Sequence, residues 1–271
     1  MDKSYNYNPE LPSLVLGGGG PFGIAFEYGI YESLRDAGID LHDAQMLGTS
    51  AGSWVASLIA TGRGYDDVAD VPQVKVPNWE PGFLQGLSRD VFGNDRAANV
   101  RAMAYRLPSR EYPIPGPEKL RGSDNDLADI VAASSAVPGL FRPVRIGDKY
   151  YVDGGVRSII SADVAPKSHR VLAIAALGQH LRQPIGQHKL AVGPVLEWQL
   201  RRELGSWKRR YGGKVAYIQP NEEIASMVEG PADLFNFDIA HRVYDEARKQ
   251  GEQVIERWRD MGTLALWLSN S

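Results

Sequence analysis

Three short segments hold residues whose types and spacing could do chemistry. Gly48-Thr49-Ser50-Ala51-Gly52 fits G-x-S-x-G. Glycines in that pattern permit a sharp strand-to-helix turn, which lifts the serine hydroxyl clear of the backbone beside a helix N-terminus. Gly17 to Gly20 is a run of four glycines, and such a run can turn several free N–H groups toward one anion. Asp153 is followed by Gly154-Gly155, so its carboxylate is approachable as a general base would be, although an ordinary Asp-Gly turn reads the same. An activated serine needs a base within hydrogen-bond reach. Ser50 with Asp153 alone would make a dyad, and His169 or His180 would complete a triad in the order Ser-Asp-His. None of the five histidines, His42, His169, His180, His188 and His241, has local context that marks it as catalytic.

The glycine run admits two anions. One is the oxyanion of an acyl-transfer intermediate. The other is a dinucleotide pyrophosphate, because Gly18, Gly20 and Gly23 fit G-x-G-x-x-G. The nucleotide reading also needs an acidic residue closing the second strand. Asp40 and Asp43 come before that strand, so the oxyanion is the better reading.

Elements that could position these residues follow from the pattern around them. Ser13 to Leu16 reads as a buried strand ending at the glycines. Phe22, Phe26, Ile30 and Leu34 recur every four residues and predict a helix, with Gly38 beyond its end. Met46-Leu47 predicts a second strand before Ser50, and Ser53 to Ala60 a second helix. That alternation predicts a parallel sheet with helices packed on it. Residues 62–125 read differently. Seven of the 17 prolines fall between Pro72 and Pro117, which predicts a loop-rich insertion serving as a lid or pocket wall, or a plain surface connection. Further along, Leu127 to Val137 is a helix candidate, Lys149 to Val152 a strand ending at Asp153, and Arg170 to Leu177 a buried parallel strand. Lys214 to Gln219 is another strand, and residues 238–259 form a long helix with Ile239, Val243, Ala247, Val254 and Trp258 on its apolar side.

Composition sets the class. The chain has 271 residues, 43% of them hydrophobic and 23% charged, which is a globular composition. That length suits one domain spanning 1–271. A net charge of −3 argues against a general nucleic-acid binder. With no cysteine there is no disulfide, thiolate catalysis or Cys-ligated metal, and neither a metal nor a cofactor is expected. No apolar run approaches the roughly 20 residues of a membrane span, and the first dozen residues carry no signal-peptide core. A cytoplasmic protein is expected.

Taken in order, these segments resemble the patatin-like phospholipase family of lipid acyl hydrolases. Gly18-Gly19-Gly20-Pro21-Phe22-Gly23 looks like the family's oxyanion loop, Gly48 to Gly52 like its nucleophile turn, Ala133 to Phe141 like the apolar segment before the base, and Tyr151-Val152-Asp153-Gly154-Gly155 like the segment carrying the base. Asp163 sits where many bacterial members have a further Asp. The resemblance covers residues 14–178, with 236–259 loosely similar. It implies a three-layer α/β/α sandwich with a mostly parallel central sheet. It also implies a Ser50–Asp153 dyad, an oxyanion hole from the N–H groups of Gly18, Gly19 and Gly20, and a lipid or fatty-acyl ester as substrate. Acyl transfer to another acceptor and a non-catalytic lipid-binding module are the alternatives on the same fold. Two departures stand out. Phe22 occupies a place where the family usually carries Arg or Lys, and Ser158-Ile159 replaces a common Asn-Pro. Arg142, Arg145 and Arg157 are candidates to supply the missing cation for a head group.

Residues 182–214 hold eight Lys or Arg and two Glu, a net of +6 in a chain of net −3. Leu196, Leu200, Leu204, Trp207 and Tyr211 form one helical stripe there, with Trp198 and Arg202 opposite. Such a helix either packs its stripe on the core with its charges merely solvated, or makes peripheral contact with an anionic membrane.

Overall fold

The computed structural model describes residues 8–69, 75–180, 182–185 and 188–268. Strand β1 (Ser13–Leu16) leads to helix α1 (Gly20–Asp36), and β2 (Gln45–Thr49) leads to α2 (Ala51–Thr61). A short α3 (Asp66–Ala69) and α4 (Phe83–Phe92) precede β3 (Val100–Arg106), β4 (Gly116–Arg121) and α5 (Leu127–Ser134). The hairpin β5 (Val144–Ile146) and β6 (Lys149–Asp153) comes next, then β7 (Arg170–Ile174). A separate ribbon, β8 (Arg182–Ile185) with β9 (His188–Ala191), precedes α6 (Gly193–Tyr211). β10 (Lys214–Ile218), α7 (Glu222–Ser226) and α8 (Phe237–Asp260) follow.

The central sheet runs β10-β7-β1-β2-β3-β6-β5, with β4 on β3. From β10 to β3 all neighbours are parallel, so their carboxyl ends share one edge of the sheet. Both faces are covered. Leu14 and Leu16 of β1 enter a core built with α1, α2, α4, α5 and α8, whereas Val15 enters a second core built with α6. This is a three-layer α/β/α architecture, as expected, and it explains why β1 is apolar without alternation.

The pairing of β3 matters most for the site. β4 lies along Arg101–Arg106. The other side of β3 is shared, β2 taking Val100–Met103 and β6 taking Ala104–Arg106. β6 therefore ends just beyond the end of β2, and Asp153 is brought to where Ser50 follows Thr49.

Residues 62–125 differ from the loop-rich insertion expected there, since they contribute α4 and two strands of the main sheet. β3 (VRAMAYR) was illegible because Arg and Ala favour helix over strand. Its centre needs small residues, Ala102 and Ala104, facing the helices. β4 (GPEKLR) escaped notice because Gly and Pro argue against a strand, yet it is an edge strand, where Pro117 is tolerated. β7 ends at Ile174, three residues earlier than expected, and Ala175–Leu177 turn away toward the site.

Helix α6 buries Leu200, Leu204 and Trp207, half-buries Leu196 and Tyr211, and turns Trp198 and Arg202 outward. The side chains of 181–191, part of the basic segment, lie outside the described residues, as do most of the polar lead-in and Pro72. Among the described residues no helix is long and apolar enough to cross a membrane.

Candidate active site

Ser50 is the last residue before α2 and adopts φ 51°, ψ −117°. A positive φ on a non-glycine residue costs about 1–3 kcal/mol and persists only when its surroundings enforce it. Here they do. The Ser50 N–H donates to Ser134 Oγ at 2.9 Å, and Ser134 Oγ in turn donates to the Met103 carbonyl at 2.7 Å. The Ser50 carbonyl accepts from the Ser53 hydroxyl at 2.6 Å. Gly52 lies so close to β1 that a Cβ there would sit 2.3 Å from the Leu16 backbone, so the second glycine of the motif is required by packing.

Asp153 is buried at the end of β6, and its own N–H donates to the Ala136 carbonyl at 2.9 Å. Oδ1 accepts from the Gly155 N–H at 2.6 Å. Oδ2 is buried and lacks a well-aligned hydrogen-bond partner, while the Ser50 hydroxyl stands beside the carboxyl. Burial pushes the Asp153 pKa up to about 6, and the Ser50 hydroxyl and the Gly155 N–H pull against that rise. A loose contact between nucleophile and base is common in unliganded sites and tightens when substrate binds.

The glycine run was expected to supply donors from Gly18, Gly19 and Gly20. Gly18 is a correction: its N–H donates to the Ile159 carbonyl at 2.8 Å and anchors the loop instead. Among the described residues nothing accepts from the N–H of Gly19 or Gly20, which open α1, nor from that of Ala51, which opens α2. Ala51 was missed, although the N–H after a nucleophile at such a turn is a usual oxyanion donor. Gly20 has φ +60°, and a Cβ on it would meet the Leu234 carbonyl at 2.8 Å.

Beneath the loop lies Glu27, fully buried on α1. Its Oε1 accepts from the Gly17 N–H at 2.6 Å, while Oε2 is buried and lacks a well-aligned partner, with the Ala176 N–H beside the carboxyl. Burial drives its pKa well above the ordinary carboxylate value, and the two N–H groups oppose that. The only signal for it in the sequence was one acid inside an otherwise apolar run, Ala25–Tyr31. Ser134 and Ser135 were marked only as part of the family-like segment Ala133 to Phe141, with no role of their own. Ser135 accepts from Trp54 Nε1 at 3.0 Å.

Ser50 and Asp153 stand in the wall of a cavity of about 340 Å³. Its other walls are largely apolar: Ile24 of α1, Trp54 of α2, Leu84 and Leu87 of α4, Leu140, Phe141, Ile159, and Phe235 and Phe237 at the start of α8. Arg142, Arg145 and Arg157 do not line it. Arg142 is exposed, the Arg145 Nε donates to the Gly147 carbonyl at 2.8 Å, and Arg157 pairs with Asp163 at 2.6 Å. Phe22 is fully buried in the core. His169 sits at the amino end of β7, away from Ser50, and pairs with Glu10. His180 contacts Gln179 and is absent from the cavity wall. The structure brings Ser50 to Asp153 and, among the described side chains, brings no histidine to either. Among the described residues no cluster of three or more His, Asp or Glu could hold a metal.

A strained serine at the carboxyl edge of a parallel sheet, beside a buried carboxylate and unpaired N–H groups, is a layout suited to acyl transfer. The family model for patatin-like phospholipases matches residues 77–166, a stretch that carries Asp153 and begins after Ser50. The resemblance to that family is thus found by comparison as well as by motif. An uncharacterized NTE family protein of Mycobacterium tuberculosis and another of Mycobacterium bovis are each 27% identical over 167 residues, covering 56% of this chain and 27% of theirs. The chain spans about a quarter of the length of these relatives. The crystal structure of VipD from Legionella pneumophila aligns at TM-score 0.43 and 14% identity, over 93% of this chain and 68% of that one.

Proposed function

We propose that the protein is a serine acyl hydrolase of the patatin-like kind, cleaving lipid or fatty-acyl carboxylic esters. The observation that carries this is Ser50 held beside buried Asp153 in the wall of an apolar cavity. Ser50 Oγ attacks the ester carbonyl while Asp153 accepts its proton. The carbonyl oxygen becomes an oxyanion facing the N–H groups of Gly19, Gly20 and Ala51. Loss of one such donor typically costs about 3 kcal/mol. The C–O bond then breaks, the leaving alcohol takes the proton from Asp153, and an acyl-Ser50 ester remains. Water gives a proton to Asp153 and attacks this ester. The fatty acid leaves and the proton returns to Ser50. The family match supports an activity on lipid esters, and the apolar walls support an acyl chain as the group they hold.

The test is hydrolysis of p-nitrophenyl esters from acetate to palmitate by wild type, Ser50→Ala and Asp153→Asn. Ser50→Ala should abolish turnover and labelling by a fluorophosphonate. Asp153→Asn should lower kcat by about a hundred- to ten-thousand-fold. Full activity in Asp153→Asn would remove the dyad. A folded wild type that neither turns over any ester nor takes the probe would favour a binding role.

A further inference from the structure

Among the described residues, the large apolar side chains left in the open gather at one end of the molecule, with the single exception of Met261. Val156 follows the Asp153 segment and is 51% exposed on the cavity wall. Val195 and Trp198 lie on the first turns of α6, 66% and 61% exposed. That helix starts against Gly178 and Gln179, beyond the carboxyl end of β7, and runs down toward Ser168. Trp79 neighbours Asn78, which bridges to Phe141 of the cavity wall. Tyr150 and Ile114 belong to the hairpins that extend past the carboxyl end of β3. Met261 follows α8, a helix of 24 residues that begins with Phe237 at the cavity, and so lies at its far end.

Two exposed arginines of this end stand next to its aromatic rings. The Arg202 guanidinium lies 5.3 Å from the centre of the Trp198 ring, and that of Arg145 lies 5.9 Å from Tyr150. Arg142 follows Phe141 and is exposed. Aromatic rings with arginines over them suit an interface with an apolar depth and an anionic top, because the guanidinium stays among head groups while its stem and the ring go deeper.

We propose that this end of the molecule docks on an anionic lipid surface, with Trp79, Val195 and Trp198 entering the head-group layer around the mouth of the cavity. The inference rests on the lipid-ester reading above, since a long-chain ester is held in such a surface and the mouth must meet it. It goes beyond that reading by naming the face, the anchoring residues and the charge of the surface.

The experiment uses the full chain carrying Ser50→Ala, so that binding is read without hydrolysis. It measures flotation with vesicles of phosphatidylcholine and phosphatidylserine at low salt, and with phosphatidylcholine alone. Binding should be strong with the first, weaker with the second, and reduced by added salt. Adding Trp79→Ser, Val195→Ser and Trp198→Ser together should lower partitioning by about tenfold or more. Met261→Ser, which also removes an exposed apolar side chain, should leave it unchanged. In the Ser50 background the triple variant should hydrolyse a soluble butyrate ester at the wild-type rate, which shows it is folded. Equal partitioning of triple variant and parent would overturn the proposal. So would absence of flotation at low salt, or a parent that dimerises in sedimentation while the triple variant does not, which would assign the rim to contact between copies. Vesicle binding without any ester hydrolysis by wild type would sink the hydrolase reading and leave the docking face standing.

Discussion

Asp153 is a carboxyl whose folded environment favours its neutral form. Its pKa is raised to about 6 by burial, yet in the proposed mechanism it must be ionised to take the Ser50 proton. Activity should therefore fall as pH drops through about 6, and a kcat/KM profile against pH reads this directly. The same burial acts on stability with the opposite sense. A carboxyl whose pKa is higher in the folded state destabilises the fold wherever it is ionised, and that cost disappears as pH falls from about 6 toward the ordinary carboxylate value. A rise from that ordinary value to about 6 corresponds to about 3 kcal/mol. Asp153→Asn should thus be more stable than wild type at pH near 8, with the gain shrinking to nothing in acid. Thermal unfolding across pH checks it, and a destabilised Asn variant at neutral pH would show that the carboxylate is better solvated than its burial implies. The loss of activity and the gain of stability would then share one cause.

Helix α1 does more than cover the sheet. Through Glu27 it holds the Gly17 N–H that follows β1, beside the Ala176 N–H beyond β7, and the Gly17 carbonyl in turn accepts from the Gly52 N–H at 2.8 Å. One buried side chain thus links the glycine loop to the nucleophile turn. Glu27→Gln keeps an acceptor for these N–H groups and removes a group that resists ionising. Glu27→Ala removes the shorter of the two acceptors of the Gly17 N–H, which keeps the Ile174 carbonyl at 3.1 Å, and costs about 1–3 kcal/mol where a buried donor is left unsatisfied. Glu27→Ala should unfold at lower temperature and slow fluorophosphonate labelling of Ser50, while Glu27→Gln should label normally and gain stability over wild type as pH rises. Comparable labelling by both variants would restrict Glu27 to a packing role. Such a role is hard to see in a sequence because the partners are backbone groups from distant strands. The parts that were legible depend on neighbours in the chain. The Ser50 turn, the glycine run and β1 are each written in a few consecutive residues. β3 was not, because its strand state is imposed by β2, β4 and β6 against the helical preference of Arg and Ala. Gly18 was misassigned for a related reason, since its partner, Ile159, is far away in sequence.

For the molecule as a whole, the cavity joins pieces from nearly every segment, with α4 closing one side. Its volume of about 340 Å³ lies at the small end for ligand pockets. Leu87→Trp, from a half-buried position on that wall, should shift the preferred ester toward shorter chains. Each methylene no longer accommodated is worth about 0.8 kcal/mol, roughly fourfold in kcat/KM. An unchanged chain-length profile would place the acyl group elsewhere. Strand order also sets when the site can work. β1 is flanked by β2 and β7, so its second edge stays open until Val171 to Ile174 arrive to pair with it. Likewise Ser50 stands without Asp153, its proposed base, until β6 settles against β3. At about 5–20 residues per second, a ribosome takes several seconds to deliver Asp153 after Ser50 has emerged. During that interval the nascent chain carries the nucleophile turn without its base. Under the proposed dyad, reactivity at Ser50 is therefore withheld while the stretch between Ser50 and Asp153 is being made.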